Sequence, residues 1–428
     1  MTDLYSGQDI EFKEHEKINA IQQLRLQQHL KYCLDNSPFY RRLLEKCKTD
    51  LKNITLRDLP KIPFTEKTDI ERHNEDFLSV PLSKIVDIVM SSGTTGKPTR
   101  IMYTEHDLKR LAYNEEQSFK GCGLSTDDTA LLTCTLDRCF VAGLAYFSGI
   151  RAIGAAAVRS GLNTLESHAE IIKQTNPTVI VGVPTFLKKL GKYVAGKKIG
   201  HRVKKLVCIG EPLRDENLGF LKLGRELEEV WQAKAYSTYS SSEIITTFCE
   251  CTAQQGGHLH PDLAVVEIVD KNNRVLPFGN TGEVVVTPLA VEGMPLIRFK
   301  TGDMSFLVDN PCACGRNSLR LGPILGRKKQ MMKIRGTTLY PQTIYSALAE
   351  IGAVSEYYVI VTSENYLSDN LEVHASVNDK SLTVETVVKK LQAHLRISPK
   401  VFIETEEEIR QKVYDPKFRK PVRFVDKR

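Results

Sequence analysis

Residues 91–98 read Ser-Ser-Gly-Thr-Thr-Gly-Lys-Pro, and their types suit the binding of a polyphosphate. Glycine lets backbone amides close on an anion with no side chain in the way. Here Gly93 and Gly96 supply that freedom, Ser91, Ser92, Thr94 and Thr95 add hydroxyl donors, and Lys97 adds a mobile cation. Many convergent donors are what phosphate binding wants. The Walker A pattern does not fit, because Ser91 stands where its first glycine belongs and Pro98 where its Ser or Thr belongs. A flexible Gly/Ser/Thr linker is the plain alternative. The apolar run at 85–90 just before the loop favours a ligand loop carried by a strand.

A second set of residues could hold a metal. Cys249-Glu-Cys251 precedes His258, and Pro311-Cys312-Ala-Cys314-Gly315 follows later. Thiolates and imidazole are good zinc ligands, and closed four-ligand sites are structural. Buried free cysteines explain Cys33 or Cys208 better than two Cys-x-Cys pairs. The ten cysteines are spread unevenly, and in a cytosolic enzyme clustered cysteines point to metal or chemistry before disulfides.

Five further motifs follow the loop. They are Gly210-Glu211-Pro212-Leu213, then Tyr239-Ser240-Ser241-Ser242-Glu243, then Arg298-Phe-Lys-Thr-Gly-Asp303. After them come Gly326-Arg327 with the lysines behind it, and Lys420-Pro-Val-Arg423 with Asp426 and Arg428 at the end. In type and order this set resembles the adenylate-forming superfamily: acyl- and aryl-CoA synthetases, peptide-synthetase adenylation domains and luciferases. The segments Asn36-Ser-Pro-Phe-Tyr40 and Leu59-Pro-Lys-Ile-Pro-Phe-Thr-Glu-Lys67 are similar to its phenylacetate–CoA ligase branch. The likeness covers nearly the whole chain.

The resemblance implies a role for each motif. Residues 91–97 bind the phosphates of ATP, with Thr94 in a catalytic position. Gly210, Glu211 and Pro212 line the adenine, with Tyr239, Ser240 and Ser242 nearby. Glu243 holds Mg²⁺; the plain alternative is an acid capping a helix after a Ser-rich turn. Asp303 accepts hydrogen bonds from the ribose hydroxyls, since a carboxylate is a pure acceptor. Arg327 reaches the ribose or phosphates, and Lys329 is the hinge. Lys420 stabilises charge during adenylation; Lys417 competes, but the spacing to Arg423 decides for Lys420. Ligands carried over for the zinc are Cys251, His258, Cys312 and Cys314, with Cys249 and His260 as spare neighbours. The acid would lie against Phe140, Gly143, Tyr146 and Phe147, with walls from Phe186, Ala235 and Tyr236, although aromatic residues are more often plain core.

The expected reaction is ATP-dependent activation of an aryl or arylacetic acid to an acyl-adenylate. Transfer to coenzyme A then gives acyl-CoA, AMP and pyrophosphate. A carrier-protein thiol as acceptor, or a reaction that stops at nucleotidyl transfer, is the alternative. Presence of Lys97, Glu243, Asp303 and Lys420 argues against a non-catalytic nucleotide-binding regulator.

Elements that could position these residues follow from pattern. Between about 84 and 240, strand-like runs at 130–134, 178–182 and 206–209 alternate with helical stretches at 166–174 and 214–223. Such alternation predicts a doubly wound α/β layer. Strands dominate 263–308 and suggest an antiparallel β-rich subdomain. A small α+β domain follows, mobile by resemblance. The expected division is 1–326 for the large domain with the acid, ATP and zinc sites, and 327–428 for the small one.

Composition allows this reading. Apolar content is 41%, which supplies a sizeable core. Net charge is +7, with basic residues read as scattered, so a nucleic-acid partner is not expected. No run reaches the roughly 18 apolar residues of a membrane helix, so no membrane partner is expected. The acidic, polar start is unlike a signal peptide, which makes a cytoplasmic enzyme the expectation. A homodimer is a further expectation.

Overall fold

Short continuous apolar runs, buried on both faces and separated by amphipathic stretches, build the centre of the chain. A computed structural model describes residues 9–47, 49–51, 53–91, 99–334, 337–364, 368–379, 381–414 and 421–428. The described chain divides into two units. One is Met1–Thr301 with Ser305–Ile324; the other is Gly302–Met304 with Leu325–Arg428.

The larger unit opens with helices α1 (His15–Asn36), α2 (Pro38–Leu44) and α3 (Lys67–Arg72). Strands β1 (Ile85–Ser91) and β2 (Thr99–Thr104) form a separate two-stranded antiparallel sheet. Helix α4 (Glu105–Gly121) starts at a capping box, in which Thr104 and Asp107 each accept from the other's backbone N–H. Next come β3 (Thr129–Leu132), α5 (Ala142–Ile153), β4 (Ala156–Arg159), α6 (Leu165–Thr175), β5 (Val179–Gly182) and α7 (Pro184–Gly196). Strand β6 (Lys205–Ile209), helix α8 (Lys222–Trp231) and strands β7 (Lys234–Ser241) and β8 (Thr246–Cys249) complete the layer.

These strands form one six-stranded sheet in the order β4-β3-β5-β6-β7-β8. All its pairs are parallel except β7–β8. Side chains alternate between the faces, as a period of two requires. Leu132, Val181, Val207 and Tyr236 pack under α4 and α5. Leu131, Ile180, Leu206 and Ala235 pack under α6, α7 and α8. Helices on both faces make this the doubly wound layer expected from the alternation.

The strand-rich part also matches expectation. Short β9 (Gly257–His258) is followed by β10 (Ala264–Val269) and β11 (Gly282–Pro288), which pair antiparallel. Strands β12 (Phe299–Ser305), β13 (Leu307–Val308), β14 (Arg320–Leu321) and β15 (Gly326–Arg327) follow. The division between the units falls inside β12.

One helix differs from expectation. Residues 214–223 are mostly a turn, and helix α8 begins only at Lys222. Asp215 accepts from the backbone N–H of Asn217 and Gly219, and Leu218 is left-handed with φ 65°. Asp offers its own backbone a turn in place of a helix.

The smaller unit carries β16 (Met332–Ile334), β17 (Thr337–Leu339), α9 (Pro341–Ile351), β18 (Val354–Glu364) and β19 (Ser368–Val377). Helix α10 (Val384–Leu395), β20 (Lys400–Ile403), α11 (Glu406–Val413) and β21 (Phe424–Asp426) end the chain. Its main sheet runs β20-β19-β18-β21 over its own core of Ile344, Leu348, Val359, Val373 and Leu391.

Buried polar anchors tie the larger unit together. Arg298 is 1% exposed, forks onto Glu267 at 2.8 and 2.9 Å, and donates to the carbonyls of Pro60 and Ile62. Removing one partner of such a pair costs about 3–5 kcal/mol, because the other charge is left buried. Buried His29 shares a hydrogen bond with the carbonyl of Leu296 at 3.0 Å. Burial lowers its pKa from 6.5 to about 4, against the pull of that hydrogen bond. The unfolded chain therefore binds the extra proton first, and this contribution to stability is lost as pH falls from 6.5 to about 4. His29→Gln should flatten the acid limb of urea-unfolding stability by on the order of 3 kcal/mol across that window. Buried Glu115 acts in the opposite sense, since burial raises its carboxyl to about 7. Comparing the two proteins isolates His29; parallel acid limbs would refute the assignment.

Candidate functional site

The glycine-rich loop is carried by the β1–β2 hairpin. The expected strand before the loop is β1, which pairs antiparallel with β2 in a hairpin, Ser91 opposite Thr99. Residues 92–98, which include Ser92, Gly93, Thr94, Thr95, Gly96 and Lys97, lie outside the described residues. At the mouth of the loop the hydroxyls of Ser91 and Thr99 are buried and have no hydrogen-bond partner among the described residues. Buried hydroxyls are ordinarily satisfied, so this pair has unused hydrogen-bonding capacity. Beside it, Met90 donates its N–H to Cys139 O at 2.8 Å, which brings the Asp137–Phe140 turn to the hairpin.

Glu243 sits in the turn between β7 and β8. Its side chain is 9% exposed, and Lys67 from the start of α3 donates to Oε1 at 3.0 Å. Burial works against its charged form, but the Lys67 cation and hydrogen bonds outweigh this and hold the carboxyl below its usual range. Its neighbour Ser242 accepts from Tyr103 Oη at 2.8 Å. Ser240 is exposed, and the Tyr239 ring stacks on Phe248.

The turn is strained just beyond the glutamate. Ile245 has φ 44°, a left-handed value that a β-branched residue rarely takes. Buried Arg110 of α4 donates to Ile245 O, to Thr246 Oγ1 at 3.1 Å and to Leu263 O at 2.6 Å. Strain of this kind persists only where surrounding contacts over-determine it. Arg110 and Lys67 are thus the positioning residues that sequence reasoning missed. Lys67 stood at the end of a segment used only to judge family likeness, and Arg110 stood in a helix whose capping box was legible.

The 210–214 segment leaves β6 with Gly210 at φ 75° and open space where a Cβ would be. Glu211 accepts from the N–H and hydroxyl of Thr185, both at 2.9 Å, and so caps the start of α7. Pro212 is partly exposed. Arg214 makes a buried two-point pair with Glu250, which also accepts from Ser237 N at 2.8 Å. That pair joins this segment to β7 and β8.

Residues proposed for the acid separate into two groups. Phe147 and Tyr236 share the core beneath α4 and α5, beside Tyr146. Two guanidiniums lie over Phe147, Arg159 at 5.0 Å and Arg151 at 5.8 Å. Phe140 lies just before α5 and is partly buried. Ala235 points to the other face of the sheet, into the core beneath α7 and α8. Gly143 is there for close packing: a Cβ would lie 2.3 Å from Thr135 O. Gly143→Ala should push α5 off that carbonyl, at a cost of roughly 1–3 kcal/mol, read as a lower melting temperature. An unchanged melt would show that the backbone can yield.

In the smaller unit, Asp303 of β12 stands opposite Arg327 of β15, with Oδ1 3.4 Å from Nε. Asp303 is nearly buried, whereas Arg327 is half exposed. Lys329 occupies the short turn Lys328–Gln330. Lys417 and Lys420 lie outside the described residues, but the chain after them is anchored. Strand β21 pairs parallel with β18, Arg423 donates to Glu356 at 2.7 Å, and Arg428 bonds Asp369 at 3.0 Å.

The cysteines gather as a group with one histidine. Ligand atoms of Cys251, His258, Cys312 and Cys314 all lie within 4.8 Å of one another. Cys251 Sγ is 3.5 Å from Cys312 Sγ, and Cys314 Sγ is 3.4 Å from His258 Nε2. Neither spare residue joins them. Cys249 packs in the α4–α5 core, and His260 is held by Glu11 and Ser118.

Comparison with known proteins accords with this arrangement. Residues 9–291 match the AMP-binding enzyme family, and residues 336–428 match the AMP-binding enzyme C-terminal domain. The phenylacetate–coenzyme A ligase of Thermus thermophilus is 33% identical over 87% of this chain and 84% of its own. That of Escherichia coli is 27% identical over 88% and 86%. A 2-hydroxyisobutyryl-CoA ligase, solved in its postadenylation state with R3-HIB-AMP, superposes with a TM-score of 0.85 at 23% identity. That match covers 98% of this chain and 91% of the solved one. The chain therefore belongs to the AMP-binding enzyme family, within the phenylacetate–CoA ligase-like branch of the adenylate-forming superfamily.

Proposed function

We propose that this enzyme joins an aromatic carboxylic acid, aryl or arylacetic, to coenzyme A at the expense of ATP. In the first step the acid's carboxylate oxygen bonds the α-phosphorus and the bond to pyrophosphate breaks. In the second the thiol sulfur of coenzyme A bonds the acyl carbon, AMP leaves and the thiol proton is released. The observation that carries the reading is Glu243, kept ionised on a strained turn by Lys67 and held in register by Arg110. Cations and oriented donors fixed where phosphate charge moves lower the barrier of phosphoryl transfer, and an ionised carboxylate is suited to hold such a cation there.

Glu243 fits one oxygen ligand of Mg²⁺, which takes few protein carboxylates and keeps substrate oxygens. When bound, that ion neutralises charge on the departing pyrophosphate. Lys67 is near enough to Glu243 to serve the same anion. The hydroxyls at the loop mouth and residues 92–97 cradle the phosphates, and Gly210 to Pro212 border the adenine. Asp303 and Arg327 take the ribose. Phe140, Phe147 and Tyr236 give the aryl acid its apolar wall.

The four-residue sulfur and imidazole group is a zinc staple. Its spacing fits four ligands about 2.0–2.3 Å from one ion. With Nε2 turned to the sulfurs, His258 Nδ1 bonds Ser318 Oγ at 2.9 Å, an outer partner of the kind that fixes a ligand's tautomer. Lys329 is proposed as the hinge between half-reactions. Proline fixes φ near −65°, so Lys329→Pro should impair one half-reaction far more than the other; parallel loss would refute the hinge.

Pyrophosphate release across a panel of carboxylic acids, followed by mass spectrometry with and without coenzyme A, tests the whole reading. Aromatic acids should release pyrophosphate and yield a thioester. Release confined to aliphatic acids would overturn the substrate class. Adenylate that never passes to coenzyme A would favour a carrier-protein acceptor.

A further inference from the structure

Residues 186–210 contain seven lysines, one arginine and no carboxylate. This stretch carries +8 in a chain whose net charge is +7, so everything else together sums to −1. Of the 59 basic residues 51 lie elsewhere, scattered as the composition suggested, but the lack of any carboxylate here leaves one uncompensated segment. It comprises α7 and the loop that leads into β6.

The fold turns these cations outward. Leu187, Leu190, Gly191 and Val194 bury the inner side of α7, and a Cβ on Gly191 would strike Trp231. Lys189, Lys192, Lys197, Lys198, Arg202 and Lys204 are all exposed. Only Lys188 and Lys205 of the segment have a carboxylate partner among the described residues, Glu226 at 2.5 Å and Asp128 at 2.9 Å. Flanking helices do not cancel the charge. Helix α6 offers Glu166 and Glu170 against Lys173, and α8 offers Glu226, Glu228 and Glu229 against Lys222 and Arg225.

Position narrows the partner. The cationic loop precedes β6, whereas Gly210 and Glu211 follow it, so one strand of about 16 Å separates the loop from the nucleotide segment. A carrier that delivers a thiol has no reason to dock there. Composition narrows it further. Lysines outnumber arginine seven to one, and lysine is a hydrated point charge without the planar fork that reads phosphates individually. The one tyrosine of the segment is partly buried, with Lys197 5.7 Å from its ring centre, so bases find no row of exposed aromatic rings to stack on. Clusters of four to eight basic residues on a helix suit an anionic membrane surface.

We propose that the outer face of α7 and the loop after it dock the enzyme on a bilayer of anionic phospholipid. This departs from the expectation of no membrane partner, and it concerns attachment to a surface, since no described helix is long and apolar enough to cross one. It is independent of the substrate reading. The test is co-sedimentation of the full chain with vesicles of mixed phosphatidylserine and phosphatidylcholine. Binding should appear with the mixed vesicles, be absent with pure phosphatidylcholine and fade as salt rises. Each basic side chain strengthens such binding about fivefold. Combined Lys192→Gln, Lys197→Gln, Lys198→Gln and Lys204→Gln should thus weaken it by roughly 10²–10³-fold with an unchanged melting temperature. A variant with the same net charge, Lys17→Gln, Lys31→Gln, Lys109→Gln and Lys271→Gln, should bind like the parent. No vesicle binding, equal binding to both lipid mixtures, or equal loss in the two variants would overturn the proposal. Binding to duplex DNA with none to vesicles would also overturn it and assign the face to nucleic acid.

Discussion

Lys420→Ala should abolish acyl-adenylate formation, with a loss of about 10²–10³-fold in its rate, while thioester formation from a synthetic adenylate stays largely intact. The asymmetry follows from where charge moves. In the first half-reaction negative charge spreads over the α-phosphate and the leaving pyrophosphate, and a cation placed there stabilises the transition state more than the ground state. In the second half-reaction the phosphate is already a leaving group beside the ribose, and the attacking atom is sulfur. The residue itself lies outside the described residues, and the chain that follows it is held. Arg423 is held by Glu356, and the last strand is paired to β18, so Lys420 sits three residues from a fixed point. Lys417→Ala is the control, three residues further from that point. Rapid-quench measurement of adenylate, alongside thioester assay from the synthetic intermediate, reads both steps. Equal loss of the two, or full activity, would sink the assignment.

What local sequence could reveal was local. The loop chemistry of residues 91–97, the alternation of strand and helix through the centre and the restart after Arg327 depend on neighbours a few positions apart. Strands β5 and β6 lie within a residue of their expected starts for that reason. The α4 helix was legible too, from Thr104 followed by Asp107, but no reading used that signal. The shift of α8 was harder to see, because an Asp-Glu-Asn run can cap a helix or fold back on itself. Here the buried pair of Arg214 with Glu250 favours the turn.

Pairings across the chain are another matter. Lys67 and Glu243 are 176 positions apart, and Arg298 reaches Pro60 across 238. Nothing in either segment names its partner, since a lysine after a Pro-rich run is ordinarily a surface residue. The same holds for the two faces of β7. Ala235 and Tyr236 are adjacent in sequence yet enter different cores, so a pocket assigned from a stretch of consecutive residues mixes the two sides of a sheet. The cluster of Cys251, His258, Cys312 and Cys314 escapes this limit because cysteines in close pairs are rare and the family resemblance supplied the set of four.

Zinc should copurify with the protein, and Cys312→Ser together with Cys314→Ser should lose the metal and lower the melting temperature by several degrees or more. At a structural site, binding energy is folding energy, because the unfolded chain has no preformed site. The connections made by the four ligands show what would be released. Cys251 follows β8, His258 ends β9, and Cys312 and Cys314 lie in the loop between β13 and β14. Arg320 of β14 stands opposite His258, so the loop is also tied by a ladder that survives loss of the metal. Around the group, Arg316 bonds Glu11, Glu11 bonds His260, and His260 bonds Ser118 of α4, which links the loop to the first described residues of the chain. Loss of the ion therefore should loosen the 311–317 loop and the N-terminal turn before the large sheet. Hydrogen exchange should rise there while β3, β5 and β6 stay protected. Retained activity at low temperature, with inactivation on mild warming, is the expected kinetic signature of a staple. Metal-free protein of equal stability would refute it; loss of adenylation with no change in stability would instead place the ion in the chemistry.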